Sequence, residues 1–514
     1  MQLSREDYRR KVLGCWMGKN IGGTLGAPFE WRRQVNKVTF YTQDLGGEPL
    51  PNDDLDIQLL WLVAMEERGL DLTAATLAEY WCLYVTPHWS EYGTAKINMR
   101  SGLLPPLSGT MHNEYKDSCG AFIRSEIWAC VAPGCPAVAA RYAIEDAILD
   151  HGDGEGTYAE VFCAALESAA FVVSDLKALI DIGLSYIPEQ CGVARAVRTA
   201  VECAGRGMPW REARDVILRD HRGSAFFLSP NQVSPEDRQK GFVDGQRGYD
   251  APSNIALLVL GLLVGGDDFG QMICTTVNCG EDTDCTAATA GAIFGILHGI
   301  EAIPEKWIKP IGHKIRTACL NLGELGLYGD LVAPTIDNLS DRSERLARQV
   351  LLRHGRRAGM AVGDGAATDL SDADAARLRA ADHGASLYQS LGGTQHRFDF
   401  FTVDVDYGSR PTIRDGQAKT LVVRIANTYK VQANLSLHWY LPEGWTAAPS
   451  ADGYVLSLPR HLGPAVVLEF TVQAERVTRA MNRCVLELTC EGRPTVMLVP
   501  IVLQNGNTLP QRQE

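Results

Sequence analysis

The sequence contains no run of about 18 apolar residues free of charge, the minimum for a helix crossing a bilayer. Its longest candidate, Ile255 to Gly266, is too short, so no membrane partner is expected. Paired cysteine spacing is missing as well. None of the 14 cysteines forms a CxxC, and their irregular intervals support neither a zinc knuckle nor a small disulfide framework. Buried thiols of a reducing cytoplasm are expected instead. There is no excess of positive charge. Against 49 Lys and Arg stand 62 Asp and Glu, a formal charge of -13, which excludes the basic surface a nucleic-acid partner needs. No GxSxG elbow is present, so triad hydrolysis has no starting point. The first residues, MQLSREDYRRKVLG, carry charge where a secretory leader needs an apolar stretch. Ser4 followed by Asp7 reads there as a helix cap, and a cytoplasmic location is expected.

Two kinds of periodicity divide the 514 residues. From Arg5 to about Arg357, apolar residues recur at three- and four-residue spacing, as in Leu55, Leu59, Leu62 and Val63, which predicts helices. From Phe398 onward the pattern is short alternating runs: Phe401 to Asp406, Leu421 to Ile425, Leu435 to Tyr440, Val466 to Val472 and Val485 to Thr489. With turn signals at Pro442 to Trp445 and at Asp452-Gly453, these suit a small antiparallel sandwich similar to immunoglobulin-like modules. The expected organisation is a multidomain chain: an all-α domain over 1–355, a connector with one short helix over 356–392, and a β-sandwich over 393–506. The connector helix is placed near Asp372 to Ala381.

Gly14, Gly18, Gly22 and Gly26 recur every four residues, which on a helix makes a groove without side chains, suited to very close packing. The run ends Gly26-Ala-Pro-Phe-Glu30, where proline stops the helix and leaves a carboxylate just beyond it, facing a cleft. Asn52-Asp53-Asp54-Leu55-Asp56 opens a strongly helical run. Asn52 suits a cap there and the aspartates a positive first turn, which is a sufficient structural explanation for one such start. A second acidic start, Asp282-Thr283-Asp284-Cys285-Thr286, precedes a helix whose Gly291, Gly295 and Gly299 again repeat every four. If the two starts meet, each like-charged pair at about 4 Å costs roughly 4 kcal/mol at an effective dielectric near 20. A helix terminus offers up to about 2 kcal/mol. A cation is then required, and oxygen ligands with room for water favour Mg2+ or Mn2+.

These motifs resemble the ADP-ribosylglycohydrolase family. Gly14 to Glu30 is similar to its opening GxxxGxAxGDAxGxPxE, Asn52-Asp53-Asp54 to its TDD motif, and Gly280 to Gly295 to GGDTDTxAAxxGAxxG, in family order. Gly120-Ala-Phe-Ile-Arg124 is similar to the family segment GNGxxMR, and His151 stands near a family histidine that lines the substrate cleft. The resemblance implies an all-helical hydrolase holding one or two Mg2+ or Mn2+ ions. It makes Asn52, Asp53, Asp54, Asp282, Asp284 and Cys285 the metal positions, and Glu30 and Asp54 catalytic. Gly120, Arg124, Glu126, His151 and Asp153 become substrate-binding candidates. Three positions depart from the family pattern: Asn52 stands for threonine, Gly23 for aspartate and Cys285 for threonine. A thiol is a poor ligand for a hard ion, so one ion is lost or weakly held unless Thr286 or Asp56 supplies an oxygen.

The implied activity is cleavage of an N- or O-glycosidic bond to ADP-ribose or a related ribosyl group, on a small-molecule or ADP-ribosylated substrate. Two other functions stay open: a glycosidase for furanosides or oligosaccharides, suggested by the appended sandwich, and a non-catalytic, crystallin-like member of the family. Arg124 suits a substrate phosphate and equally an internal ion pair with neighbours such as Glu126. The glycine-rich loop His151 to Gly156 suits a pocket wall or a plain solvated turn. Gly241 to Tyr249 has many glycines without the strand and helix of a nucleotide fold. Trp439, Trp445 and Tyr454 suit a sandwich core better than a sugar platform.

Overall fold

The computed structural model describes residues 2–31, 34–222, 248–354, 360–365, 375–380, 384–388 and 391–508. It divides into two compact units: Met1–Lys96 with His112–Leu387, and Ile97–Met111 with Tyr388–Glu514. Among its described residues the first is helical apart from a parallel pair, β1 (Gln2–Ser4) with β2 (Ala361–Gly363). Most of the glycine loop 241–249 lies outside the described residues, as does much of the expected connector helix. Within that connector two 3-10 turns, Ala376–Leu378 and Ala385–Tyr388, are described. Among the described residues no helix is long and apolar enough to cross a membrane. The most apolar one, Ala251–Gly265, is instead a buried helix of the core.

The helix Arg5–Gly26 organises the first unit. Ser4 caps it, its hydroxyl accepting from the Asp7 N–H at 3.0 Å. Its glycine stripe lies against the helix Thr283–His298 so closely that a Cβ would sit 2.0 Å from the Gly291 carbonyl at Gly18, 2.1 Å from that of Ala287 at Gly22 and 2.3 Å from that of Thr283 at Gly26. Gly291 and Gly295 return the contact, meeting the carbonyls of Gly18 and Gly14. Backbone touches backbone along the whole seam, which only residues without side chains permit. The Thr283 hydroxyl donates to the Gly26 carbonyl at 2.8 Å and fixes the register at the functional end.

The second unit holds two five-stranded sheets. One orders β3 (Gly393–Arg397), β4 (Phe401–Asp406), β6 (Ala418–Asn427), β10 (Val466–Ala474) and β8 (Trp445–Ala448), all antiparallel. The other orders β5 (Thr412–Ile413), β12 (Val496–Asn505), β11 (Met481–Cys490), β7 (Ala433–Tyr440) and β9 (Asp452–Ser457); only β5 with β12 is parallel. Alternate residues of both sheets, among them Val403, Val423, Val472, Leu437, Leu486 and Val499, share one core. Trp439 and Trp445 belong to it, whereas Tyr454 is 84% exposed. Asp452-Gly453 is not a turn but the start of β9, where Gly453 pairs with Leu437. Strand β12 was hidden in the sequence by Pro500, which sits inside it opposite Val485.

Candidate active site

Two glycine positions near the end of the first helix seat the two acidic starts. Gly26 accepts the beginning of the Thr283 helix. Gly23, one turn earlier and off the stripe, faces Asn52, whose Nδ2 would lie 2.4 Å from a Cβ at that position. Asn52 caps the helix Asp53–Arg68, its Oδ1 accepting from the Asp54 N–H at 3.0 Å, while its Nδ2 donates to Asp54 Oδ2 at 3.0 Å. The first helix then ends, a 3-10 turn Ala27–Phe29 follows, and Glu30 closes it.

These elements bring Glu30, Asp53, Asp54, Asp282 and Asp284 into one cluster. Ligand atoms of Glu30, Asp282 and Asp284 lie within 4.8 Å of one another, and so do those of Asp54, Asp284 and Cys285. Burial, then the charges of Asp284, Asp282, Asp53 and Asp54, push Glu30 up to about 11. Burial, then Asp284 and Asp54, hold Asp282 well above the usual carboxylate range. Asp284 is pushed up to about 6, by burial and then by Asp53. Burial also raises Asp53 and raises Asp54 strongly, with Lys19 opposing both shifts. One oxygen each of Asp54, Asp282 and Asp284 is buried with no hydrogen-bond partner in the protein. Such atoms are costly unless a ligand satisfies them, and crowded anionic oxygens fit a divalent cation.

Of the two substitute oxygens considered for the second ion, Asp56 belongs to neither group of clustered ligand atoms. Its Oδ2 accepts from the backbone N–H groups of Ala318 and Cys319, both at 2.6 Å, and its Oδ1 is buried with no partner in the protein. The Thr286 hydroxyl donates to the Asp282 carbonyl at 2.8 Å. Burial pushes the Cys285 thiol well up, and the charges of Asp282, Asp54 and Asp284 add to this, so it faces the carboxylates as a neutral group.

Four of the five substrate-binding candidates, Gly120, Arg124, Glu126 and His151, are buried. Arg124 is fully buried and bonds Asp146 at 3.0 Å, both oxygens of Asp150 at 2.9 and 3.0 Å and the Gly120 carbonyl at 2.6 Å, beneath the Trp81 ring. Of the two uses open to it, the internal ion pair is the one observed, with aspartates rather than Glu126. His151 is fully buried too, between Asp150 Oδ1 at 2.9 Å and the Ser118 hydroxyl at 3.0 Å, and so lines no open cleft. Glu126 receives Lys19 at 2.8 Å and Gln58 at 2.9 Å. Gly120 packs on Glu91, whose carboxylate a Cβ would meet at 2.1 Å. Asp153 pairs with Lys116 at 2.9 Å on the exposed side of its loop.

A family model described as ADP-ribosylglycohydrolase matches residues 4–343, more than half of the chain. The chain belongs to the ADP-ribosylglycohydrolase family. Among solved structures it is similar to an "ADP-ribosylglycohydrolase-related protein complex", with 18% identity over 66% of this chain and 99% of that one and a TM-score of 0.38. It is also similar to a FixG-related protein from Vibrio parahaemolyticus, with 14% identity over 21% of this chain and 99% of that one and a TM-score of 0.17. Membership makes the chain a glycohydrolase.

In this ADP-ribosylglycohydrolase several supporting residues escaped the sequence reading. Tyr92 donates to Asp53 Oδ2 at 3.2 Å, and Asn254 accepts from the Asp282 N–H at 3.1 Å. Lys19 is buried, donates to the Ile123 carbonyl at 2.8 Å, and its charge reaches Asp54 as well as Glu126. The signal for Lys19 and Asn254 was there, a polar residue at the edge of an apolar run, Val12 to Gly18 for the one and Ile255 to Gly265 for the other. Tyr92 carries no such mark.

Proposed function

We propose that this glycohydrolase is metal-dependent and cleaves an N- or O-glycosidic bond to ADP-ribose or a related ribosyl group. The observation that carries the reading is the set of buried, unpartnered carboxylate oxygens on Asp54, Asp282 and Asp284, gathered where two helix starts meet. A hard cation such as Mg2+ or Mn2+ held there by Asp282, Asp284 and their neighbours would bind ribose hydroxyls and acidify water. Asp53 supports the site from the edge, tied to Tyr92. Glu30 is the carboxylate we assign to the reacting centre. It follows the end of the glycine helix, is half-buried, and is surrounded by acids that favour its protonated form, which suits proton transfer at the glycosidic bond. Asp54, anchored by Asn52 and opposed by Lys19, is placed to meet positive charge developing on the sugar.

We assign catalysis to residues 1–355 and keep 393–506 as a separate β-sandwich. The 14 free cysteines fit a reducing cytoplasm. The test is a substrate panel, ADP-ribosylated peptides beside furanosyl glycosides and oligosaccharides, each with Mg2+, Mn2+ or EDTA. Metal-dependent release of ADP-ribose supports the proposal; release from the free glycosides alone would transfer the enzyme to the other substrate class.

A further inference from the structure

We propose that this enzyme holds a single hard divalent cation, on the Glu30, Asp282 and Asp284 side of the cluster, and that the Asn52 amide and the Cys285 thiol close the second position beside Asp54. The proposal rests on the metal-dependent reading above and adds to it the number of ions and the residues that limit it.

The two close groups of ligand atoms share Asp284 and differ in chemistry. Glu30, Asp282 and Asp284 offer only carboxylate oxygens, the donors that Mg2+ and Mn2+ prefer. Asp54, Asp284 and Cys285 include a sulfur, a soft donor poorly matched to such ions. One oxygen of Asp54 is further occupied, because its Oδ2 already accepts the Asn52 Nδ2 N–H at 3.0 Å, which leaves Oδ1 as the only one it can offer on this side. That amide cannot be turned around without loss, since Asn52 Oδ1 must accept from the Asp54 N–H at 3.0 Å to cap the helix. The Lys19 ammonium, donating to Glu126 at 2.8 Å, adds positive charge that acts on Asp54.

The room for this amide is built into the first helix. A Cβ at Gly23 would lie 2.4 Å from Asn52 Nδ2 and 3.6 Å from Asp54 Oδ2. A side chain at position 23 and the Asn52 amide therefore compete for one space, and the chain has resolved this with glycine. The same choice removes any carboxylate that position 23 could have sent toward the cluster. Thr286 and Asp56 do not restore the missing oxygens: the Thr286 hydroxyl donates to the Asp282 carbonyl, and Asp56 belongs to neither group of ligand atoms. An amide N–H and a sulfur thus stand where a second cation would need oxygen.

The test counts ions on the metal-free full-length protein with Mn2+ alone, by electron paramagnetic resonance of the free ion and by equilibrium dialysis, with no substrate present. Wild type is expected to bind one Mn2+ per chain. Asp282→Asn should weaken that binding at least tenfold. The double variant Asn52→Thr with Cys285→Thr, which replaces both blocking groups by hydroxyl oxygens, should bind two. Thermal melting of each variant confirms that it is folded. Two ions in wild type would overturn the proposal, and a folded double variant that still binds one would overturn the closure by Asn52 and Cys285. A folded wild type that binds none would instead defeat the metal-dependent reading on which the proposal rests.

Discussion

Gly18→Ala tests whether the glycine seam positions the acidic starts. Two effects of opposite sign compete. On an ordinary helix the change stabilises by about 0.5–1 kcal/mol, because alanine loses less backbone entropy. At Gly18 the added methyl would lie 2.0 Å from the Gly291 carbonyl oxygen and 2.4 Å from its carbon, more than about 1 Å inside van der Waals separation. The obstacle is backbone, so no side chain can rotate away and the two helices must part. Overpacking of this kind costs typically about 1–3 kcal/mol and sometimes more. The clash wins, and the expected net loss is about 1–2 kcal/mol. Displacement near 1 Å at a reacting centre can lower a rate by about 100-fold, so turnover should fall by more than stability does. Gly205→Ala is the control: that glycine ends the helix Gly192–Gly205 with nothing within 4 Å of its would-be Cβ. It should gain a few tenths to about 1 kcal/mol with unchanged activity. Urea unfolding, ADP-ribose release and Mn2+ affinity are measured for both. A Gly18→Ala protein as stable as the Gly205→Ala control, with wild-type Mn2+ affinity, would refute the seam as the positioning device.

Other outcomes follow from the same geometry. Arg124→Ala strands Asp146, Asp150 and Glu160 in the core and should cost about 3–5 kcal/mol by urea unfolding; a variant of wild-type stability with only a raised KM would return Arg124 to substrate binding. Glu91, pushed up to about 7 chiefly by burial, has a folded value above its unfolded one, so its contribution is present below about pH 4 and is lost as pH rises through 7. Glu91→Gln should therefore flatten the fall in stability between pH 5 and 8, recovering up to about 3 kcal/mol at the upper end, and an unchanged slope would contradict this. Glu30→Gln should lower kcat by 100-fold or more while the protein melts as wild type does; near-normal kcat would remove Glu30 from the chemistry. Adding Mn2+ at about 100 times its Kd should stabilise wild type by roughly 2.7 kcal/mol and Asp282→Asn by far less.

Much of the site was legible because its determinants are local. A glycine every fourth residue from Gly14 to Gly26 can mean only a bare helix face, and the answering glycines at 291 and 295 name the partner. Asn52 and Ser4 cap as their residue types require. The strands of the second unit announced themselves by alternation at Phe401 to Asp406, where the observed strand has the expected ends. What stayed hidden depends on distant parts of the chain. Arg124 could not be told from a phosphate ligand until the fold placed Asp146 and Asp150 around it. His151, in a glycine-rich loop, read as exposed, yet packing of Gly156 against its ring and the Ser118 contact enclose it. Asp56 shares a motif with two cluster residues but turns to the backbone at Ala318 and Cys319, more than 250 positions away. Strand β12 combined a nearly unbroken apolar run with Pro500, a pattern that alternation does not find.

The central claim is that a cation sits where the helix starts at Asp53 and Thr283 converge beside Glu30. An anomalous-difference map from a crystal of the full-length enzyme grown with Mn2+ tests it most directly. A peak bounded by Glu30, Asp282 and Asp284 is expected. A fully ordered cluster without such a peak, at Mn2+ concentrations that support turnover, would contradict it.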